Sequence, residues 1–229
     1  MVDPEVQGSP TETLAYSLVG DRLHLVEREI ERACNSEIAL VRRHSEYVLR
    51  SGGKRLRPAM VLLCTNICGY KGDDDVELGA VIEFIHTATL VHDDILDGAE
   101  VRRGQEAANQ VWGNKLAVLL GDYIYMRSLA MSVGLGSLRL VEILTEATSR
   151  LLEGEILDVS NNGNVELTDE DYLETIDRKT ASLFAAAGQA SAILANATPE
   201  YEQALASYGS NIGMAFQIID DLLDYSADT

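Results

Sequence analysis

Two stretches of this chain gather carboxylates at a spacing suited to a hard cation. In LVHDDILDGAEVRRG, Asp93, Asp94 and Asp97 follow an apolar run. In MAFQIIDDLLDY the same D-D-x-x-D pattern returns as Asp220, Asp221 and Asp224. On a helix the first and fifth residues of this pattern lie one turn apart on one face. Two carboxylates so placed can share a cation through oxygen. Magnesium typically takes one or two carboxylates, several waters and the oxygens of a phosphate substrate. With 17 aspartates in 229 residues, chance supplies one such pattern about 0.1 times per chain, so the second copy carries weight. Each copy also closes an apolar helix pattern, FIHTATLV or IGMAFQII, where a carboxylate out of reach of cation or water is costly. For either motif alone, a solvated acidic face is the plain alternative.

Two facing acid clusters repel each other unless cations lie between them. An anionic phosphate ligand bridged by magnesium would satisfy both. Such a ligand also needs direct cationic contacts, and two Gly-flanked clusters offer them: Lys54, Arg55 and Arg57 in SGGKRLRP, and Arg102 and Arg103 in VRRG. Neighbouring glycines let backbone N–H groups approach phosphate, and the arginine fork suits its oxygens. Only 18 residues of the chain are basic, so five in two clusters is a concentration, although each cluster alone reads equally well as a surface loop.

The elements that must position these groups read as helices. Leu18, Leu23, Val26, Ile30, Ile38, Val41 and Val48 recur at three and four from Leu14 to about Arg50, giving one or two amphipathic helices. SGGKRLRP interrupts. Helix resumes over Ala59–Cys68, then from Val76 to about Asp97, capped by the aspartates of GYKGDDD. GAEVRRGQEA is a connector. Helices follow from Lys115 to about Val133 and from Leu138 to about Val159. NNGN at 161–164 is a turn, Thr168 and Asp171 form a capping box, and Thr198–Pro199 opens a last helix that runs to about Tyr225. No period-2 strand pattern stands out. The expectation is an all-α chain: a tail over residues 1–12 and a single helical domain over 13–229.

Composition agrees. The chain is 46% hydrophobic, with four prolines, enough for a core and suited to helix. It carries 18 basic against 37 acidic residues, a formal net charge of −19, and no basic stripe, which argues against nucleic acid as a partner. Cys34, Cys64 and Cys68 form no C-x-x-C. They read as buried free thiols, in keeping with a reducing cytoplasm. The N-terminus lacks the apolar core of a signal peptide, and no uninterrupted apolar run approaches bilayer-spanning length.

Taken together, GGKRLRP (52–58), HTATLVHDDILD (86–97), RRG (102–104), GDYIY (121–125), GEILD (154–158), KTASLF (179–184) and FQIIDDLLDY (216–225) resemble the trans-isoprenyl diphosphate synthases, or polyprenyl synthetases, in their order. The text between them is most like the long-chain, octaprenyl branch that makes quinone side chains. The resemblance implies a helical bundle of the isoprenoid synthase type around a central cavity, and a homodimer. It implies magnesium ions, three per site with substrate bound, gripping an allylic diphosphate such as farnesyl, geranyl or geranylgeranyl diphosphate. That diphosphate leaves, the double bond of isopentenyl diphosphate attacks the allylic cation, and a proton is lost to the released diphosphate. The long product would partition to membrane.

By the same resemblance, Asp93, Asp97 and Asp220 are direct magnesium ligands, with Asp94, Asp221 and Asp224 supporting directly or through water. Arg102 and Lys179 hold the allylic diphosphate. Lys54, Arg57, His86 and Arg103 hold isopentenyl diphosphate, and Thr180 and Gln217 line the cation site. His86 as a core histidine and Lys179 as a surface lysine are the plainer alternatives. Ala88 and Thr89, five and four residues before Asp93, stand where the family closes a short-chain tunnel with an aromatic. Their small size implies a product longer than fifteen carbons, with forty as the central expectation. Ile85, Tyr123 or Met126 would form a deeper floor.

Family members continue beyond the second aspartate motif with a lysine-bearing loop and further helices. The chain reads as C-terminally short of that region. The alternatives are a geranylgeranyl or farnesylgeranyl diphosphate synthase and an inactive subunit of a heteromeric synthase. A helical metal-dependent phosphohydrolase using His92–Asp93 would leave Lys54, Arg57 and the second motif unexplained, and a terpene cyclase would leave GGKRLRP and RRG unexplained.

Overall fold

The computed structural model describes residues 10–50 and 52–226. Helix α1 (Pro10–Ala33) starts at a proline and takes in residues 10–12 of the expected tail, while residues 1–9 lie outside the described residues. It is followed by α2 (Ala39–Leu49), α3 (Leu56–Ile67) and α4 (Asp74–Leu96). A hairpin of β1 (Val101–Arg102) and β2 (Gln105–Glu106) leads to the short α5 (Ala108–Trp112), then to α6 (Asn114–Gly134) and α7 (Leu138–Asn161). Helix α8 (Asp169–Ile176) runs through a single π-helical turn (Asp177–Ala181) into α9 (Ser182–Leu194), and α10 (Pro199–Ser226) closes the described chain.

α4 is the central helix. Leu78, Val81, Ile82, Phe84, Ile85 and Ala88 are all at most 2% exposed, because the helix is wrapped by α1, α3, α6 and α9. That leaves it apolar nearly all round until the last turn, where Asp93, Asp94 and Asp97 appear. The first aspartate motif therefore stands on the rigid axis of the bundle. α10, which carries the second, packs on α9, the π-turn and α8.

Several local expectations change. The connector 98–107 contains a hairpin, with Val101 facing Glu106 and Arg102 facing Gln105. Its two-residue loop is Arg103-Gly104, both at positive φ (52° and 77°). A two-residue hairpin needs positive φ at both positions, and arginine at the first hides the usual Asn-Gly signal. Asp73 stands at the N-cap of α4 without a side-chain cap hydrogen bond. It and Asp75 instead bind the Arg22 guanidinium, tying α1 to α4. The capping box at Thr168 and Asp171 is present in both directions. Helix α6 proves long and apolar enough to cross a bilayer by length and composition, although Lys115, Asp122 and Arg127 interrupt it. In the fold it packs along α4. Cys34 and Cys64 are buried free thiols, pushed up to about 12 by burial, and Cys68 is half-buried.

Small residues bring the C-terminal helices into backbone contact. A Cβ on Gly209 of α10 would lie 2.3 Å from the Phe184 carbonyl oxygen, and one on Gly188 of α9 would lie 2.2 Å from that of Leu205. Gly209→Ala forces α9 and α10 apart and should cost about 1–3 kcal/mol, lowering the thermal midpoint by several degrees. Gly20→Ala in α1, with nothing within 4 Å of the new Cβ, should raise it slightly through helix propensity. Equal midpoints for the two variants would contradict this packing.

Candidate active site

The π-turn is the hinge of the site. Two glycines press on it: a Cβ on Gly154 of α7 would lie 2.4 Å from the Lys179 backbone nitrogen, and one on Gly213 of α10 would lie 2.6 Å from the Ala181 Cα. A single π-turn inside a helix is uncommon and is frequently found at functional sites. Here the adjacent Lys179 and Thr180 engage different neighbours. Lys179 Nζ meets Glu155 at 2.9 Å and Asp158 at 2.7 Å, both on α7. Thr180 Oγ1 donates to Gln217 Oε1 at 2.7 Å, Gln217 Nε2 donates to Asp221 Oδ1 at 2.8 Å, and Tyr172 Oη donates to Asp221 Oδ2 at 2.5 Å. One turn thus links the GEILD carboxylates to the second aspartate motif.

At the end of α4 the three aspartates differ sharply. Asp94 is 4% exposed and paired with Arg102, whose Nε and Nη2 reach Asp94 Oδ1 at 2.7 and 2.5 Å. It is the buried member, so its role as a ligand would require exchange with this arginine. Asp97 is the exposed C-cap of α4. Asp93 is half-buried, and burial followed by the charge of Glu155 pushes its carboxyl up to about 7, despite Lys179 and Arg102. Burial likewise raises Glu155, while Lys179 pulls it back. Burial pulls Lys179 down, yet its two carboxylate partners leave it well above the ordinary lysine range. Negative charge here exceeds what the protein's own cations neutralise. Asp220 and Asp224 are exposed on α10 and Asp221 is half-buried in the tyrosine–glutamine grip.

A few residues away along α4 the imbalance reverses. His86 is half-buried. Burial, then Arg57, Arg103, Arg102 and Arg55, hold its imidazole well below the usual histidine range. Arg55 has carboxylate partners in Glu27 and Glu83, and Arg102 has Asp94. Arg57 and Arg103 have no carboxylate partner among the described residues. Arg57 lies with its guanidinium 4.4 Å from the Phe184 ring centroid, its Nε is buried without a hydrogen bond, and burial pushes it down to about 10. Arg103 is also lowered, by burial first, and its Nη1 donates to the Gly52 carbonyl oxygen. That bond joins the two basic clusters, and Gly53 permits it: at φ 137° a Cβ there would lie 2.8 Å from the Arg103 guanidinium. Lys54 is exposed beside them.

The fold thus brings Arg57 and Arg103 close enough to His86 to act on its charge, joins Thr180 and Gln217 to Asp221, and sets Lys179 near Asp93. Arg55, grouped with its neighbours in the sequence, is instead locked in internal ion pairs. Glu155, Asp158 and Tyr172 went unassigned, although GEILD marked the first two. Among the described residues no three His, Cys, Asp or Glu side chains converge tightly enough to hold an ion alone. The donor set fits magnesium shared with a phosphate ligand: all-oxygen, incomplete without that ligand, and electrically unbalanced around Asp93. Ala88, 2% exposed, and Thr89, 8% exposed, are buried on α4 one turn beyond Ile85, which with Tyr125, Ser128, Leu129, Leu144 and Thr148 lines a cavity of about 10 Å³, room for about one water. Met126 is 56% exposed and does not line this cavity, since the buried phase of α6 runs through Leu120, Ile124, Ser128 and Met131.

Comparison with known proteins follows this geometry closely. Residues 38–229 match the family model described as polyprenyl synthetase. The chain is 46% identical over 203 residues to the octaprenyl diphosphate synthase of Escherichia coli (strain K12), covering 89% of this chain and 63% of that one. It is 37% identical over 218 residues to heptaprenyl diphosphate synthase component 2 of Bacillus subtilis (strain 168), covering 93% and 62%. It therefore spans somewhat less than two thirds of the length of these relatives. A crystal structure of polyprenyl synthase from Caulobacter crescentus CB15, complexed with calcium and isoprenyl diphosphate, superposes with a TM-score of 0.93 at 38% identity, covering 97% of this chain and 68% of that one. The predominantly helical frame agrees with that match, and the chain belongs to the polyprenyl synthetase family.

Proposed function

We propose that this chain is a trans-polyprenyl diphosphate synthase, condensing isopentenyl diphosphate with an allylic diphosphate to extend a prenyl chain. The observation that carries this reading is a pair of clusters beside α4 whose charges the protein leaves without a full partner. Arg57 and Arg103 form no ion pair among the described residues, and burial with the charge of Glu155 raises Asp93 despite Lys179 and Arg102. A diphosphate and a metal-bound diphosphate satisfy both at once. Magnesium, when bound, would neutralise the leaving diphosphate as its bond to the allylic carbon breaks.

The residues divide the work as follows. Asp93, Asp97 and Asp220 would hold magnesium, with Asp94, Asp221 and Asp224 in support. Arg102 keeps donors beyond the two it gives Asp94, and Lys179 keeps a third hydrogen beyond its two carboxylates, so both can meet the allylic diphosphate. Lys54, Arg57, Arg103 and a neutral His86 would hold isopentenyl diphosphate. The Thr180–Gln217 pair would present oxygen dipoles toward the allylic cation, and the buried apolar face of α4 would exclude water from it.

For product length, the small Ala88 and Thr89 favour a chain longer than fifteen carbons, with forty as the central value. The names of the octaprenyl and heptaprenyl relatives support the long-chain reading. A homodimer would cover the apolar stripe of α6 formed by Val118, Leu119, Met126 and Val133, each at least 42% exposed. Light scattering on the purified chain reads its mass directly.

With farnesyl diphosphate, isopentenyl diphosphate and magnesium, chromatography should give products beyond twenty carbons. Products that stop at twenty would overturn the long-chain reading, and absence of condensation would overturn the synthase reading. Tyr172→Phe frees Asp221 from one of its two donors. A hydrogen bond to a charged group contributes about 1.5–3 kcal/mol, so kcat should fall about tenfold or more with little change in thermal midpoint. An unchanged kcat would remove Tyr172 from the site.

A further inference from the structure

Arg55 sits among residues that face the ligand, yet it does not face it. Its guanidinium turns inward, with a side chain 9% exposed. Nη1 meets Glu83 Oε1 of α4 at 2.5 Å, Nε meets Glu27 Oε1 of α1 at 2.5 Å, and Nη2 donates to the Leu49 carbonyl oxygen at the end of α2 at 2.9 Å. One side chain thus fastens three helices at the start of a fourth. Its own backbone is left-handed, at φ 50° and ψ 37°, as the N-cap of α3. A non-glycine residue persists there only where its surroundings over-determine it, and these bonds supply that. The consequence is local geometry: residue 54 lies just before the kink and residue 57 just after it, in the first turn of α3.

Glu83 is the buried partner. It is 3% exposed, one turn before His86 on the central helix, and its charge acts on Arg55, Arg57 and Arg103 alike. Glu27 is 44% exposed and more dispensable. An arginine held by a carboxylate inside the protein leaves the guanidiniums beyond it available to an external anion, instead of letting them collapse onto that carboxylate.

We propose that Glu83, acting through Arg55, is a positioning residue for the isopentenyl diphosphate site: the pair fixes the kink that aims Lys54 and Arg57 at the diphosphate. This rests on the assignment of that site above. The test is calorimetric titration of isopentenyl diphosphate into the full chain, without allylic substrate, beside a titration of farnesyl diphosphate with magnesium. Glu83→Gln should weaken isopentenyl diphosphate binding tenfold or more and change farnesyl diphosphate binding by less than about twofold. Arg55→Lys, which keeps the charge and loses the fork, should do the same, and the double variant should bind no more weakly than the weaker single one. Should Glu83→Gln fail to fold, Arg55→Lys gives the reading alone. Wild-type affinity in the variants, or a parallel loss for both ligands, overturns the inference. Failure of the wild-type chain to bind isopentenyl diphosphate overturns the site assignment itself, and the inference with it.

Discussion

Charge that the protein cannot balance by itself is the constraint from which this site follows. The chain carries a formal net charge of −19 and folds around one nearly all-apolar helix, α4, that ends in three aspartates. Most of the charge near that helix is settled internally: Arg22 with Asp75, Arg55 with Glu83 and Glu27, Arg102 with Asp94, Lys179 with Glu155 and Asp158. Once those pairs are made, what remains is specific. Asp93 is half-buried and raised by burial and then by Glu155, and burial lowers Arg57 and Arg103, which form no ion pair among the described residues. Burying either remainder in the absence of a ligand raises the energy of the free protein. On the proposed function, the same remainder would become binding energy when a metal–diphosphate ligand arrives.

The helical frame makes this possible by close approach more than by bulk. Gly154 and Gly213 let α7 and α10 press on the π-turn, and Gly188 and Gly209 do the same between α9 and α10. The second aspartate motif has no place on the central axis. It reaches the site through α10, and its half-buried member, Asp221, is oriented by Tyr172 and Gln217 before any metal binds. Preorganisation of that kind lowers the reorganisation needed as charge develops on the leaving group.

Much of this was legible in the amino-acid sequence. Strong three-and-four periodicity located the long helices within a few residues, since each has one face to bury. The doubled aspartate pattern and the two arginine clusters pointed to the family, because few families place those residues at that spacing. Side-chain partnership was not legible. Arg55 and Arg57 are two positions apart with the same side chain, yet Arg55, at a left-handed backbone, pairs with Glu27 and Glu83 while Arg57 lies over the Phe184 ring. The π-turn leaves no composition signal, because it arises where two other helices crowd the chain. The hairpin at 101–106 is hidden by an arginine at its turn, and the exposure of Met126 depends on the phase of α6, whose buried face carries Leu120, Ile124, Ser128 and Met131.

The central claim is that both aspartate motifs act together, through magnesium, on one diphosphate. Calorimetric titration of farnesyl diphosphate into the chain, with and without magnesium, tests it most directly when repeated on Asp97→Ala and Asp224→Ala. Binding should be at least tenfold tighter with magnesium, and that gain should be lost when either motif is altered. Binding that is equally tight without magnesium, or that ignores the loss of one motif, would contradict it.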